Sequence, residues 1–497
     1  MEKIKALIDK TKGLGIPETQ FIKEQSSKYG IYPESIRVYA NTLFFMARTE
    51  TKKVLVVNGD LAGKFTGEEY QNAKICPCDV ANAQSLMDIF EFTRPVRHKG
   101  KDQSIGLGDR LGMASGAHIR LLKGKKVFPV IAQQSIRELN LTRRTYHDVL
   151  ASSVFAVFRE GYEDGFGMDG DHLKSPEEVK MALDCGSTMI TIDCSGSIDN
   201  RLAILSDPEI MQLYTGGEEL AALYCDNPIS LSGGVSFSIS KNQFIRNYVI
   251  YKDAIDFIVK IYNDLIKAAV RPIDYEVSLD ETEQSISPEA HYIIARELIK
   301  RGVEITSLAP RFVGEFQKGI DYIGDVNDFE KDITRHYQIA ETLGYKLSVH
   351  SGSDKFMILP IVAKVTKGKW HLKTSGTNWL EAVHMICVKD PALFRQMYDH
   401  AKEVFADACR FYHVAATLDK MPDITNMQDS ELYRLFEIND TRQLMHITYG
   451  SQLNDLDSNG QFLFRDAILN ALYQYEHAYD DLLINHIGRH LTQLGIQ

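Results

Sequence analysis

The chain has 497 residues, of which 44% are hydrophobic and 25% are charged, as in an ordinary globular protein. No apolar run approaches the roughly 18 residues that a membrane-spanning helix needs, so we expect no contact with a membrane. The formal net charge of −11 argues against a nucleic-acid-binding surface, because phosphate contacts need clustered lysines and arginines.

Cysteine usage and the first residues of the chain bear on the compartment. Of the seven cysteines, only Cys76 and Cys78 lie close together in sequence. This pair has no histidine or cysteine partners at zinc-site spacing, so we expect all seven to be reduced thiols. The first ten residues carry charges throughout and contain no apolar signal core. These features predict a cytoplasmic protein.

A unit of short apolar strand, polar residues with glycine, and amphipathic helix recurs about eight times along the chain. The predicted strands are 104–109, 127–133, 165–169, 188–193, 273–277, 303–308, 346–350 and 370–374. Because parallel strands need a crossover connection, strands that alternate with helices predict a parallel sheet. Eight such units match an α/β fold with a closed (β/α)8, TIM-like barrel better than a doubly wound sheet.

The repeat is interrupted once and has a flanking region on each side. We interpret residues 197–270, between the fourth and fifth strands, as an insertion on the barrel. Residues 1–100 contain a predicted β-hairpin at 42–57, and residues 385–497 are mostly amphipathic helix. The sequence therefore predicts a catalytic barrel at 101–384 with an N-terminal β-containing extension and a C-terminal helical extension.

Ionisable and polar residues collect where the predicted strands end. Barrel enzymes place their catalytic groups at the C-terminal ends of the strands and in the loops that follow. Here those positions hold Asp109, Gln133, Gln134, Asp169, Asp171, His172, Asp193, Glu276, Arg311, His350, Asp354, Lys355, Lys373 and Ser375. Because unpaired buried charge is strongly disfavoured, so many ionisable groups predict a functional site.

Two histidines are the predicted metal ligands. His172 and His350 follow the third and seventh strands, which lie nearly opposite each other across a barrel mouth. Neutral imidazoles with carboxylates nearby are good ligands for Zn, Mn, Ni or Fe. The pair therefore predicts a divalent metal site, the alternative being that either histidine is a hydrogen-bonded core residue.

Asp171 and Glu276 are the predicted acid/base pair. Carboxylates from different strands can face one substrate from two sides, and burial can raise the pKa of one of them for proton donation. The alternatives are a salt bridge to a lysine or arginine, or a role as metal ligand.

A further set of residues is predicted to bind substrate. Arg311 and Lys355 follow the sixth and seventh strands, and an arginine fork suits a substrate carboxylate. A barrel ion pair is the alternative for each. The remaining predicted substrate-binding residues are Ser135, Asp193 and Lys373.

Five strings of sequence resemble the bacterial tagaturonate/fructuronate epimerase family, and the resemblance covers nearly the whole chain. The strings are 106–112, 132–138, 164–174, 349–356 and 442–450. The resemblance implies a metal-dependent C4-epimerase that interconverts D-tagaturonate and D-fructuronate. Some members of the family act on the uncharged ketoses tagatose and fructose, so a ketohexose is an alternative substrate. Another metal-dependent sugar aldolase or isomerase remains open, as does the oligomeric state.

The resemblance also implies roles for particular residues. Asp171 and Glu276 fit the family's acid/base positions, and His172 and His350 fit its metal positions. The resemblance leaves the third ligand unresolved, and Glu315, after the sixth strand, is our prediction for it. The alternative for His350 is that it holds the far end of the substrate.

The chemistry at C4 limits the mechanism. The hydrogen on C4 is beta to the ketone and therefore not acidic. A retro-aldol cleavage of the C3–C4 bond is favoured over transient oxidation, because residues 165–170 match G-x-G-x-x-G only weakly as a nucleotide fingerprint. We expect a divalent metal to act as a Lewis acid in that step.

Overall fold

The computed structural model describes residues 1–10, 19–98, 103–225, 227–282 and 284–497. Within them the strands are β1 (Arg37–Tyr39), β2 (Thr42–Arg48), β3 (Lys53–Gly59), β4 (Glu68–Tyr70), β5 (Ala73–Pro77), β6 (Gln103–Leu107), β7 (Phe128–Ser135), β8 (Gly167–Leu173), β9 (Met189–Asp193), β10 (Ile229–Ser230), β11 (Ser236–Phe237), β12 (Asp274–Leu279), β13 (Ser307–Pro310), β14 (Lys346–Val349) and β15 (Trp370–Thr374).

Eight of these strands close into a parallel barrel, which confirms the predicted fold class. Around the barrel the order is β6-β7-β8-β9-β12-β13-β14-β15, and β15 pairs with β6 to close the ring. Strands β7, β9, β12 and β15 are buried at every position. Burial on both faces is expected of parallel strands, because the barrel interior covers one face and helices cover the other.

Helices follow the barrel strands. Between β6 and β15 they are Ser115–Leu122, Ile136–Thr142, Tyr146–Glu160, Pro176–Cys185, Asp207–Leu213, Gly217–Cys225, Lys241–Ile261, Pro288–Lys300, Val326–Leu343 and Leu359–Thr366. Ser135 and Thr145 each begin a helix with a reciprocal capping box, which satisfies exposed backbone N–H groups. Ser175 and Ser287 cap helices that have proline in the first turn, where the missing N–H costs nothing.

Two strand boundaries differ from the sequence prediction in ways that matter for the site. The sixth strand begins at Ser307 rather than at residue 303, because residues 304–306 are partly exposed and connect the preceding helix to the sheet. Strand β12 extends to Leu279, two residues beyond the predicted end. This extension places Asp280 directly after a barrel strand.

The flanking regions pack on the barrel as separate layers. The N-terminal strands form an antiparallel sheet in the order β1-β2-β3-β5-β4, which includes the predicted hairpin. Its helices are Glu2–Lys10, Thr19–Glu24, Ser26–Tyr29 and Val80–Ile89. The helices after β15 are Thr377–Lys389, Pro391–Ala408, Asn439–Ile447, Tyr449–Asn454, Arg465–Gln474 and Glu476–Gln493. These last helices share a core around Trp379, Phe394 and Leu444.

The region between β9 and β12 contains a long helix and a small hairpin of β10 and β11. The helix begins at Lys241, and Ser240 caps it. Across the described residues, no helix is both long enough and apolar enough to cross a bilayer. Cys76, Cys78, Cys185, Cys194, Cys387 and Cys409 are free thiols in the described parts of the chain.

Candidate active site

A pocket of about 260 Å³ opens at the C-terminal ends of the barrel strands. Residues that end or follow β6, β7, β8, β12, β13, β14 and β15 line it, which is where barrel enzymes carry their chemistry. Four residues of the C-terminal region line it as well: Phe411, Tyr412, His413 and His446. The pocket is therefore built from the barrel and from the segments that follow it.

Three side chains converge at the base of this pocket. His172 Nε2 and His350 Nδ1 each lie 3.1 Å from Asp280 Oδ1. The two ring nitrogens lie 3.2 Å from each other. Ligand atoms bound to one metal ion at about 2.0–2.2 Å keep separations of this size. Two of the three residues are the histidines predicted from the sequence, and the third is Asp280.

An irregularity in β8 allows two neighbouring residues to face the pocket. Adjacent residues of a regular strand point to opposite faces, yet both Asp171 and His172 line this pocket. The register of β8 against β9 shifts between Gly170 and Leu173, and His172 has a left-handed backbone with φ of 54°. Bulges of this kind re-aim side chains beside active sites.

Each imidazole is held by a carboxylate on its outer nitrogen. His172 Nδ1 lies 2.8 Å from Asp171 Oδ1, and His350 Nε2 lies 2.7 Å from Glu276 Oε1. A carboxylate that accepts the N–H of one ring nitrogen leaves the other nitrogen with a lone pair, the tautomer that ligates metals. The two lone pairs then face each other across 3.2 Å, an arrangement that only a cation or a proton makes favourable. The donor set therefore fits a divalent cation.

The charge state of Asp280 suits the same role. Without a cation, the neighbouring carboxylates raise the pKa of His172 and His350 against the effect of burial, and the resulting imidazolium charges outweigh burial to hold the pKa of Asp280 well below its usual range. A divalent cation at this site would displace those two protons. Asp280 is therefore a carboxylate at neutral pH, as metal ligation requires.

Lys373 lies at the centre of a buried carboxylate cluster. Its Nζ is 2.7 Å from Asp169 Oδ2, 2.7 Å from Asp171 Oδ1 and 2.9 Å from Glu276 Oε1. Burial opposes the charge of Lys373, but the three carboxylates raise its pKa well above the usual value. The ammonium group has three donors, and the cluster uses them. Lys373 therefore neutralises the buried carboxylates, and its ammonium group has no N–H left to donate to a substrate carboxylate.

Replacing Lys373 with methionine is expected to destabilise the protein by about 3–5 kcal/mol, because it leaves buried carboxylates without their counter-charge. Urea denaturation followed by circular dichroism would measure the change. Lys180→Met is the matched control, since Lys180 is 67% exposed and pairs with Asp184 on the surface; it is expected to change stability by less than about 1 kcal/mol. Equal unfolding midpoints for the two variants would contradict the proposed counter-charge role.

The structure brings some of the other predicted residues to the pocket and leaves others outside it. Ser135 and Arg311 line the pocket. Asp193 does not, and accepts a hydrogen bond from the Ser195 backbone N–H at 2.8 Å. Lys355 also lies outside, fully buried, with Nζ donating to the carbonyls of Gln317, Ile320 and Ser353. The position of Lys355 is therefore that of a loop anchor.

Glu276 and Glu315 occupy different positions from those predicted. Glu276 is fully buried below the pocket wall, where Ser307 Oγ donates to it at 2.6 Å. Glu315 lies at the pocket mouth with its side chain 42% exposed, and it is not among the three converging ligands. Among the described residues, Asp280 is the carboxylate that lies beside both histidines.

A second cluster of ligand-type residues, Asp354, His486 and His490, lies at the side of the barrel. The Asp354 backbone N–H donates to His490 Nε2 at 3.0 Å, and His490 Nδ1 lies 3.0 Å from the His486 carbonyl. Both ring nitrogens of His490 are therefore engaged with the main chain. His486 lies between Asp354 and Glu381, at 2.6 Å and 2.8 Å, which raises its pKa to about 9 against the effect of burial. This cluster is an ion-pair network that ties the loop after β14 to the last helix.

Residues that the sequence prediction missed also line the pocket: Arg110, Arg137, Asp280, Lys318 and His446. Asp280 was missed because β12 is longer than its apolar run indicates. His446 lies in the string 442–450 that carries the resemblance, so a signal for it was present in the sequence.

The closed barrel, with ionisable groups gathered where its strands end, defines the protein as a (β/α)8-barrel enzyme. The family model described as UxaE, tagaturonate epimerase, matches residues 32–494. The tagaturonate/fructuronate epimerase of Thermotoga maritima is 39% identical over 477 residues, which cover 94% of this chain and 97% of that protein. The chain belongs to the tagaturonate epimerase family.

Solved structures agree with this assignment. The native crystal structure of the fructuronate-tagaturonate epimerase UxaE from Cohnella laeviribosi superposes with a TM-score of 0.92 at 41% identity, covering 97% of this chain and all of that one. A glycerol complex of the same protein superposes with the same score. The resemblance read from the sequence is confirmed at the level of the family.

Proposed function

We propose that this protein inverts C4 to interconvert D-tagaturonate and D-fructuronate, using a divalent cation held by His172, Asp280 and His350. The observation that carries the proposal is the convergence of these three side chains at the base of the barrel pocket, within 3.2 Å of one another. Membership of the tagaturonate epimerase family supplies the substrate class.

The reaction that fits the pocket is a retro-aldol and aldol sequence. The C4 hydrogen is not acidic, so inversion requires breaking and re-forming the C3–C4 bond, with rotation of the aldehyde between the two steps. The bound cation would supply Lewis-acid stabilisation of negative charge on substrate oxygens.

Asp171 is the residue that would accept the proton of the C4 hydroxyl. It lines the pocket, and Lys373 and His172 outweigh burial to hold the pKa of its carboxyl below the usual range. An ionised carboxylate in contact with substrate can act as a general base and can return the proton after the bond re-forms.

Glu276 is better suited to positioning His350 than to donating a proton to substrate. Its Oε1 faces His350 Nε2 and Lys373 Nζ, and its Oε2 accepts from Ser307. These contacts outweigh burial and keep the pKa of Glu276 well below its usual range. We therefore assign it to the orientation of the ligand.

The test is an assay of the protein on tagaturonate, fructuronate, tagatose and fructose after dialysis against a chelator and after addition of Mn²⁺, Ni²⁺ or Zn²⁺. We expect turnover of the two uronates to fall by more than about a hundredfold in the metal-free protein and to return with metal. NMR of the products distinguishes epimerisation from aldol cleavage, which would release three-carbon fragments. Full activity in thoroughly demetallated protein would contradict the proposed metal dependence.

A further inference from the structure

The pocket lining includes cationic side chains and one buried imidazole. The loop after β13 contributes Lys318 to this lining, and the helix Asn439–Ile447 contributes His446. Arg110 and Arg137 line the same pocket. The two arginines have acid partners, since Arg110 pairs with Glu138 at 2.9 Å and Arg137 pairs with Glu281 at 3.6 Å.

Lys318 has no such partner. Its Nζ donates to Ser351 Oγ at 2.9 Å, and it forms no ion pair with a carboxylate of the described chain. Burial lowers its pKa and the charge of Arg137 adds to that effect, while the more distant charges of Asp280 and Glu138 oppose it only in part. A desolvated cation without a counter-charge is costly, and an anionic ligand would offset that cost.

His446 provides an independent sign of a ligand in the same pocket. It is only 2% exposed, and neither of its ring nitrogens has a hydrogen-bond partner in the described structure. Its ring packs directly over Gly376, and a Cβ atom added at residue 376 would lie only 1.7 Å from His446 Nε2. Only glycine at this position leaves room for the imidazole. Burial and the neighbouring Arg110 and Lys318 hold its pKa well below the usual value, so the imidazole is neutral and has one N–H to donate.

The loop that carries Lys318 is fixed from two sides. Arg442 Nε donates to the Gly319 carbonyl at 2.7 Å, and Gln443 Nε2 donates to the Lys318 carbonyl at 3.3 Å. On the other side, Lys355 donates to the carbonyls of Gln317 and Ile320. The position of Lys318 is therefore set before any ligand binds, which reduces the entropic cost of binding.

The other cationic side chains of the pocket are less suited than Lys318 to binding an anionic ligand. Lys373 is saturated by three carboxylates, and the guanidinium of Arg311 donates to the Thr282 carbonyl. Lys318 thus combines proximity to the pocket, a fixed position and an unneutralised charge.

We propose that Lys318 and His446 form the subsite for the C6 carboxylate of a hexuronate, and that Lys318 sets the preference for uronates over uncharged ketoses. This inference rests on the proposed function and adds the residues that recognise the substrate class. The ammonium group of Lys318 supplies a charge-assisted hydrogen bond to the carboxylate, and the neutral His446 imidazole supplies a second donor.

The experiment compares Lys318→Met and Lys318→Arg with Lys331→Met, a control at an exposed lysine of the helix Val326–Leu343. For each metal-loaded protein, calorimetric titration gives Kd, and the assay gives KM and kcat, for D-tagaturonate and for D-tagatose. We expect Lys318→Met to raise Kd and KM for the uronate by about 10- to 100-fold and to leave those for tagatose within about threefold. Lys318→Arg should recover most of the uronate binding, because it keeps the charge, and Lys331→Met should match the parent protein.

The outcomes separate this inference from the proposed function. Equal losses for uronate and ketose, or no loss for either, would overturn the subsite even if the parent protein is an epimerase. Uronate binding that depends on Lys318 without any turnover would leave the subsite standing and would overturn the epimerase. Thermal melts of each variant identify misfolding, and if Lys318→Met misfolds, His446→Asn carries the same expected loss of uronate selectivity.

Discussion

Asp280→Asn is expected to reduce turnover by more than about a hundredfold, because it removes the charge from one of the three side chains proposed to bind the metal. Mutation of residues that only orient metal ligands already costs about 10- to 100-fold in metal affinity or activity, so loss of a direct ligand should cost more. The substitution preserves the size of a side chain that lies 3.1 Å from both His172 Nε2 and His350 Nδ1. Inductively coupled plasma mass spectrometry would report the metal content per chain, which we expect to fall with activity.

Glu315→Gln is the matched control for Asp280→Asn. Glu315 is the ligand predicted from the sequence, but its side chain is 42% exposed at the pocket mouth, and its Oε2 lies 3.9 Å from His413 Nε2. We expect this variant to keep its metal and most of its activity. Loss of metal from Glu315→Gln with retention by Asp280→Asn would reverse the proposed assignment.

Asp171→Asn is expected to lower kcat by about 10²- to 10⁴-fold, the usual effect of losing a general base. Asp171 also orients His172 at 2.8 Å, so the same change is expected to weaken metal binding by about 10- to 100-fold. Steady-state assays across a range of metal concentrations separate the two effects, because excess metal restores occupancy without restoring the base.

The control for Asp171→Asn is Asp164→Asn, which changes an exposed aspartate just before the same strand. It is expected to leave kcat and metal content unchanged. If saturating metal fully restored kcat in Asp171→Asn, the carboxylate would be a positioning residue and the base would have to be sought elsewhere in the pocket.

The barrel was predictable because its signal is local. Each strand is a short apolar run bounded by glycine or polar residues, and the bounds of Trp370–Thr374 agree with the prediction. Histidines directly after such runs, such as His350, could be assigned to the barrel mouth from strand order alone. The same reasoning placed Asp171 and His172 together, although the bulge that turns both toward the pocket has no obvious sequence signal.

The rest of the site depends on contacts between distant segments. Asp280 was not predicted because the apolar run of this strand stops at polar Ser278, whereas the strand itself continues to Leu279. Lys318 lies in a long loop whose path is set by Lys355 and Arg442, far away in sequence. The same distance explains why Lys355 was predicted to bind substrate: its backbone partners cannot be read from its neighbours.

The pocket requires segments that are synthesised long after the barrel strands. His446 and Tyr412 reach the mouth from beyond β15, and Arg442 fixes the loop that carries Lys318. A nascent chain that ended at β15 would carry the strand ends but would lack the residues that complete the mouth of the pocket. Transplanting the pocket onto another barrel would therefore require the helix Asn439–Ile447 and the segment around Tyr412 as well as the strand ends.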